Sequence, residues 1–492
     1  MRIWIAALYL GCTSEPDETP PTDTGPETTT PIPEPPPPPE LGEWDENEPV
    51  GLIRLEPSGD YLGPVTVWWQ QRLPFDVRID FRIDGEDWQS SPVYQGVAGL
   101  NRQSIIGIPV GGTAEVRLVG ASTVEFTTDA GSITTPALPD TFPPHDVQVN
   151  DPEGWAPNGQ YYLTSINEAS CGWCTGRFWT FIADRQGTVY WATRSPDNRQ
   201  VLYVQISVAT GDHVLWDEVN WGSQGQGSLV HRTYLDEPIA IIETPGHHHA
   251  FLELPDGTLA WGDRTSTQGE AIVELAPGET QPRTVWTCRD WFEGGCRSNS
   301  LYYDPAVDRY WFSFYTQSAV VEVDRATGET VWSSFFSSDT ITNSEVYDFD
   351  PIETEFDWQH GVVHLDNGNL LISTDRIVDE KDGSVHTVLA EYEIDRKTGV
   401  LREVWNFDPG YDARFNGETR RYPNGNSMHV LGARSIAYEV DAKGTVVWQV
   451  AYPDGNMLNR LEFLDDLWGL MAPPAYAPKL DDTPFVMPGV RP

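Results

Sequence analysis

The chain has 492 residues, 74 acidic and 31 basic, with a formal net charge of −43, which argues against a nucleic-acid partner because phosphate binding needs a basic face. Hydrophobic residues make up 39%, enough to bury a core, and no run of about 18 apolar residues exists to span a membrane. The length suits about three domains, or one large all-β domain with a small one, and four lysines against 27 arginines fit an exposed or salty setting.

Residues 1–11 run Met-Arg, then apolar from Ile3 to Leu10, then Gly11 before Cys12. This resembles a bacterial lipoprotein signal cut before Cys12, which would carry the lipid. The expectation is an exported protein, a periplasmic or cell-surface lipoprotein of the outer membrane. Residues 12–49 form the next unit; over 13–50 there are 12 prolines, seven threonines, 11 acids and no Lys or Arg. Such a composition cannot bury a core and reads as an extended tether.

Residues 50–135 hold runs such as Val65-Thr-Val-Trp-Trp and Val77-Arg-Ile-Asp-Phe-Arg-Ile, separated by Gly, Pro and Asp. Alternation at period two predicts a small antiparallel β-sandwich. Residues 136–158, with Pro143-Pro144, read as a rigid linker. From 159 to 470 a repeat appears with starts near 159, 200, 247, 297, 358 and 416. Its second half is a strand, an Asp, a Gly-containing turn and a strand ending in Trp, as in Val321-Glu-Val-Asp-Arg-Ala-Thr-Gly-Glu-Thr-Val-Trp332. Its first half is a hairpin with an Asp-Gly or Asn-Gly turn, at Asp256, Asn367 and Asn424. Two hairpins per repeat make a four-stranded blade, so the fold expected is all-β, a six-bladed β-propeller behind the N-terminal β-sandwich, with the tryptophans mostly in the core. Residues 471–492 read as an extended Pro-rich tail.

Beyond Cys12, four cysteines remain, and an even number in an exported chain suggests disulfides. Of three connectivities, the local pairs Cys171–Cys174 and Cys288–Cys296 are expected. Cys171-Gly-Trp-Cys174 also has the spacing of a redox pair, which would need a βαβ context, and a zinc site would need a histidine pair at finger spacing.

In a propeller the innermost strands face the channel, where ligands bind. His249 stands seven residues before Asp256 of its turn, and His360 seven before Asn367 of its own. Equal phase puts both at one mouth. His247 and His248 compete with His249 for that place, and His364 shares a strand face with His360. The remaining histidines, His145, His213, His231, His386 and His429, read as structural or surface residues.

Three stretches carry a resemblance to a known family: Gly246-His-His-His-Ala-Phe-Leu-Glu-Leu-Pro-Asp-Gly, Asp290-Trp291 through Asn299-Ser-Leu-Tyr-Tyr-Asp-Pro-Ala, and Gln359-His360 through Leu365-Asp-Asn-Gly-Asn-Leu-Leu. In order and spacing, over roughly 50–470, the chain resembles the bacterial aryl-sulfate sulfotransferases as a divergent member. The resemblance implies a sulfuryl group moved from a phenolic sulfate ester to a phenolic acceptor by a ping-pong route, with no nucleotide donor, cofactor or metal. It implies that His360 takes the group covalently and that His249 and Asn299 assist. The family's histidine two before Asn299 is replaced by Arg297, which would supply positive charge, and its arginine aligns with Tyr315. A neutral imidazole is a competent nucleophile for such a transfer. The other reading is a non-catalytic, lipid-tethered propeller that binds a ligand or protein at the channel mouth. Convergence of His249, Arg297, Asn299 and His360 at one end of the channel discriminates between the two.

Overall fold

The computed structural model describes residues 48–121, 124–157, 159–169, 176–220, 225–266, 269–289, 296–334, 345–379, 381, 383–473 and 475–476. Cys12, the tether up to residue 47, and the Cys171–Cys174 pair lie outside them. The fold is all-β. Its helical elements, among the described residues, are three-residue 3-10 turns at Ile352–Thr354, Gly432–Arg434 and Trp468–Leu470. Among the described residues no helix is long and apolar enough to cross a membrane.

The N-terminal region folds as two four-stranded sheets. One contains Val50–Pro57, Val65–Gln71 and Gly99–Ile105; the other contains Gln89–Gln95, Asp76–Ile83, Thr113–Gly120 and Gly131–Thr134. Period-two alternation turns Val65, Val67 and Trp69 of one sheet and Ile79, Phe81, Val116 and Leu118 of the other into a single buried cluster. The tail contributes too. Ala475–Tyr476 pairs with Arg102 and Asn101, covering an edge of the first sheet that would otherwise be open.

Six further sheets of four or five strands follow. The second to sixth have as one edge Val204–Ile206, His247–Glu253, Ser298–Asp304, His360–His364 and Gly417–Arg421. Each of these edge strands begins within a few residues of a repeat start. The first sheet takes its corresponding edge from the far end of the chain: Leu458–Leu464 pairs with Tyr161–Asn167. The sixth sheet in turn receives Asp146–Asn150 against Val446–Ala451. Residues 136–158 are therefore not linker throughout. Asp-Val-Gln-Val-Asn alternates at period two and fills the outer edge of the last sheet, whose backbone groups need partners. The two exchanges tie the ends of the repeat region together. The edge strands lie side by side in the order third, fourth, fifth, sixth, first, second.

Adjacent sheets are bound by apolar clusters and by a recurring polar tie. In the turn motif the Asp serves its own turn: Asp184 Oδ1 accepts from the Gln186 and Thr188 amides, and Asp395 Oδ1 from those of Lys397 and Thr398. The Arg that follows reaches into the preceding sheet. Arg325 Nε lies 2.8 Å from Glu274 Oε1, Arg396 Nη2 2.9 Å from Glu322 Oε2, and Arg185 Nη1 2.6 Å from Glu439 Oε2. The last pair joins the first sheet to the sixth and is fully buried on both sides. Arg185 also donates to Gly159 O and stacks on Phe463 at 3.5 Å. Glu439 accepts from the Ala156 amide and Asn426 Nδ2. Tryptophan indoles also cross between adjacent sheets: Trp191 donates to Leu235 O, Trp286 to Thr330 Oγ1 and Trp448 to Arg185 O. Trp191, Trp261, Trp311, Trp332 and Trp448 are all fully buried.

Two predictions follow from this packing. Arg185→Met strands the Glu439 carboxylate and should cost about 3–5 kcal/mol, while pairing it with Glu439→Leu should restore most of the loss; urea midpoints of the three proteins decide it. Cys288 and Cys296 are bonded, with Cα atoms 6.5 Å apart, and both are buried. Closing so short a loop contributes about 2–3 kcal/mol. The Cys288→Ser, Cys296→Ser double variant should melt lower than the oxidised protein, and equal midpoints would refute the contribution.

Candidate active site

Where the edge strands meet, a narrow cavity is lined by Leu202, Tyr203, His249, Asn299, His360 and, from the sixth and first sheets, Asn416, Gly417, Glu418, Asn459 and Arg460. It offers about 20 Å³, close to the space that one water requires. His249, Asn299 and His360 come from three different sheets.

Each of these side chains sits where its edge strand breaks register. The third sheet's ladder skips from His247 to Phe251, passing His249. The fourth skips from Ser298 to Ser300, leaving Asn299 unpaired. The fifth breaks immediately after His360, and the first sheet's closing strand skips from Leu458 to Leu461, over Asn459 and Arg460. A bulge bends its strand and re-aims a side chain, and here the re-aimed side chains are those lining the cavity.

His360 is held from several directions. Its Nδ1–H donates to Trp358 O at 2.9 Å, which leaves the Nε2 lone pair available. Trp358 adopts φ 46°, a strained conformation for a bulky residue. Gln359 is fully buried and fixes the turn to the fourth sheet through Nε2, 2.9 Å from Ala319 O and 3.1 Å from Phe314 O. Asn299 Nδ2 donates to Gln359 O at 2.6 Å. On the other side, Gly361 at φ +58° lets the fifth and sixth edges approach: a Cβ there would stand 2.7 Å from the Thr419 amide nitrogen.

The histidines are kept neutral. Burial lowers His360 to about 4, against the opposing effect of its bond to Trp358 O. Burial also holds His249 well below the ordinary imidazole range, helped by the nearby His248, Arg264 and His360. Behind His249, His248 Nε2 lies 2.8 Å from Glu270 Oε1, and Glu270 accepts the Ser298 amide at 2.7 Å. Burial alone would raise the Glu270 carboxyl, but His248, Arg264 and Ser298 bring it below its usual range. An ionised carboxylate therefore links the third and fourth edges next to the site.

The sequence candidates divide as follows. His249, Asn299 and His360 line the cavity; Arg297 is exposed and is not among the lining residues. Tyr315 is half-buried, its ring 6.3 Å from that of His249 and 5.5 Å from that of Trp358, which in turn lies 6.0 Å from Phe415. His247 turns away to Asp217, with Nε2 3.4 Å from Oδ2. His364 pairs with Asp304 at 2.6 Å and stacks on Trp311. Sequence reasoning missed Tyr203, Asn416, Glu418, Asn459 and Arg460. The legible signal was charge alternating at period two along a strand: Glu418 with Arg420, and Arg460 with Glu462. Among the described residues, no group of three His, Cys, Asp or Glu is placed to hold a metal.

Comparison with solved structures gives loose overlaps. A protein of unknown function from Bacteroides caccae is 16% identical at a TM-score of 0.43, over 63% of this chain and 100% of that one. TolB from Acinetobacter baumannii is 11% identical at 0.41, over 72% and 80%, and a periplasmic gluconolactonase of Pseudomonas aeruginosa is 13% identical at 0.38, over 79% and 99%. Overlap this loose carries no argument. No curated protein matches the chain significantly. Residues 266–443, the segment that carries Asn299, Tyr315 and His360, match the family model for arylsulfotransferase (ASST).

Proposed function

We propose that the protein is a nucleotide-independent aryl-sulfate sulfotransferase, working at the channel mouth of a six-bladed propeller that stands behind an N-terminal β-sandwich. Six successive sheets with adjoining edges, joined end to end by two strand exchanges, support the propeller; two sheets around one core support the sandwich. Cys12, read as a lipid attachment site, and the tether after it suit a lipoprotein exported to the outer membrane. The observation that carries the function is the meeting of His249, Asn299 and His360 in one cavity, alongside the family match.

In the first half-reaction the Nε2 lone pair of His360 attacks the sulfur of an aryl sulfate. An N–S bond forms, the S–O bond to the ring breaks, and the phenol leaves as phenolate with the bonding pair. The Nδ1–H stays on the ring, held by Trp358 O. In the second half-reaction an acceptor phenol gives its proton to the departing phenolate, its oxygen attacks the same sulfur, the N–S bond breaks with its electron pair returning to Nε2, and His360 is neutral again. Catalysis of this kind is chiefly positioning and charge stabilisation. His249 and the second Nδ2–H of Asn299 donate to the sulfuryl oxygens. The aryl ring is too large for the cavity itself and rests toward Tyr315, Trp358 and the exposed Phe415, whose rings lead from His249 to solvent.

The wild type should release 4-nitrophenol from its sulfate ester, faster with a phenol acceptor present. His360→Ala should lose on the order of 10³-fold or more in turnover while keeping its fold, and His249→Ala roughly 10²–10³-fold. Rapid quenching should trap one sulfuryl group on the peptide containing His360. A folded His360→Ala protein with full activity sinks the assignment, and a wild type inactive on every aryl sulfate favours a binding role instead.

The pH profile gives a separate check. A protonated imidazole has no lone pair, so kcat/KM should fall as pH drops through about 4, the value to which burial lowers His360. From there it should rise to a plateau well below the ordinary imidazole range. A half-point near 6.5, the unperturbed value, would mean that the nucleophile is solvated or is another residue.

A further inference from the structure

The substrate class named above carries a negative charge, and an anion brought into a buried cavity needs a counter-charge. Both lining histidines are neutral. Arg297 and Tyr315, at the positions where the sequence led one to expect positive charge, provide none to the cavity: one is exposed and the other is a phenol. Among the described lining residues one side chain carries a permanent positive charge, Arg460.

Arg460 comes from Leu458–Leu464, the strand from the far end of the chain that completes the first sheet. Its neighbour Asn459 locks that strand in place, with Nδ2 donating to Val201 O at 2.7 Å and Oδ1 accepting from Asn416 Nδ2 at 2.7 Å. The guanidinium stacks over Tyr203 at 5.2 Å. Its nearest carboxylate, Glu418, is 3.7 Å away, too far for a hydrogen bond, and Arg460 Nε, though buried, has no hydrogen-bond partner. Two residues along each strand the pattern recurs: Arg420 lies 3.6 Å from Glu462, and its buried Nε and Nη2 make no hydrogen bond. The channel thus holds guanidinium donors that its own carboxylates do not use.

We propose that Arg460 is the anion-binding cation of this site, its unused N–H donors taking the sulfuryl oxygens of a sulfate ester held against His360. The inference rests on the sulfotransferase reading for its substrate but not for its charge. Glu418 faces the same cavity as the counter-ion that keeps Arg460 balanced when the site is empty. Burial raises the Glu418 carboxyl, against the pull of Arg460 and Arg420. The positive charge that Arg297 seemed to offer comes instead from a different sheet.

The experiment uses 4-nitrophenyl sulfate in two ways. Turnover is compared for wild type, Arg460→Lys, Arg460→Gln and the double variant Arg460→Gln, Glu418→Gln, which leaves no buried carboxylate unpaired; thermal melts confirm that each is folded. The double variant should lose on the order of 10²–10³-fold in kcat/KM, with Arg460→Lys between it and wild type. Wild-type kcat/KM in the folded double variant would overturn the assignment while leaving the sulfotransferase reading intact. Calorimetric binding of the same ester is then measured on proteins carrying His360→Asn, which cannot turn it over. Binding should weaken at least about 30-fold when Arg460→Gln is added. If the wild type is inactive but binds the ester through Arg460, the sulfotransferase reading fails and the anion site stands. Equal binding with and without Arg460, or none in either, overturns the anion site.

Discussion

A buried carboxylate met by a guanidinium from the next sheet is the interaction on which the order of the sheets depends. Glu274, Glu322 and Glu439 are buried, and each is answered by an arginine from the turn of the following sheet. Apolar faces tolerate sliding and rotation; a buried charge does not, because losing its partner costs several kcal/mol. The ties therefore penalise misordered or misrotated sheets more strongly than hydrophobic packing alone. Arg185 with Glu439 has the widest reach, joining the first sheet to the sixth beside the strand exchange that does the same with backbone hydrogen bonds.

The same desolvation that makes those pairs stringent shapes the cavity. Edge strands with unbroken ladders would alternate side chains regularly between faces. Register breaks at His249, Asn299, His360 and Arg460 release four strands from that alternation where polar groups are needed. Burial then lowers both imidazoles, and the permanent positive charge among the lining side chains is the Arg460 guanidinium. The cavity brings together imidazoles lowered by burial and a guanidinium whose buried Nε makes no hydrogen bond, with aromatic rings running from His249 to the exposed Phe415.

Legibility in the sequence varied with the range of the interaction. The strand-turn repeat was plain because Asp, Gly and Trp recur at fixed distances, each serving a local need: a turn, a positive φ, or a large apolar surface. His249 and His360 stood out because both precede their turns by the same count. Asn299 was reached through resemblance. Arg297 was not distinguishable from a cavity residue by position, since it stands two before Asn299, and an ideal strand puts both on one face; the break at Asn299 removes that equivalence. Arg460 lay in Leu458–Leu464, where its alternation with Glu462 was visible but nothing local connected it to His360, 100 residues earlier.

By itself, then, the sequence determined the all-β character and the local disulfide between Cys288 and Cys296, and it singled out two histidines that line one cavity. These follow from alternation, turn chemistry and short separations. Only the tertiary structure decided that Asp146–Asn150 and Leu458–Leu464 complete sheets at the opposite end of the chain, that Arg185 answers Glu439, and that Arg460 rather than Arg297 faces the cavity. The reason is physical: strand periodicity specifies which faces are buried, but which edges meet and where a ladder breaks is set by packing between residues hundreds of positions apart.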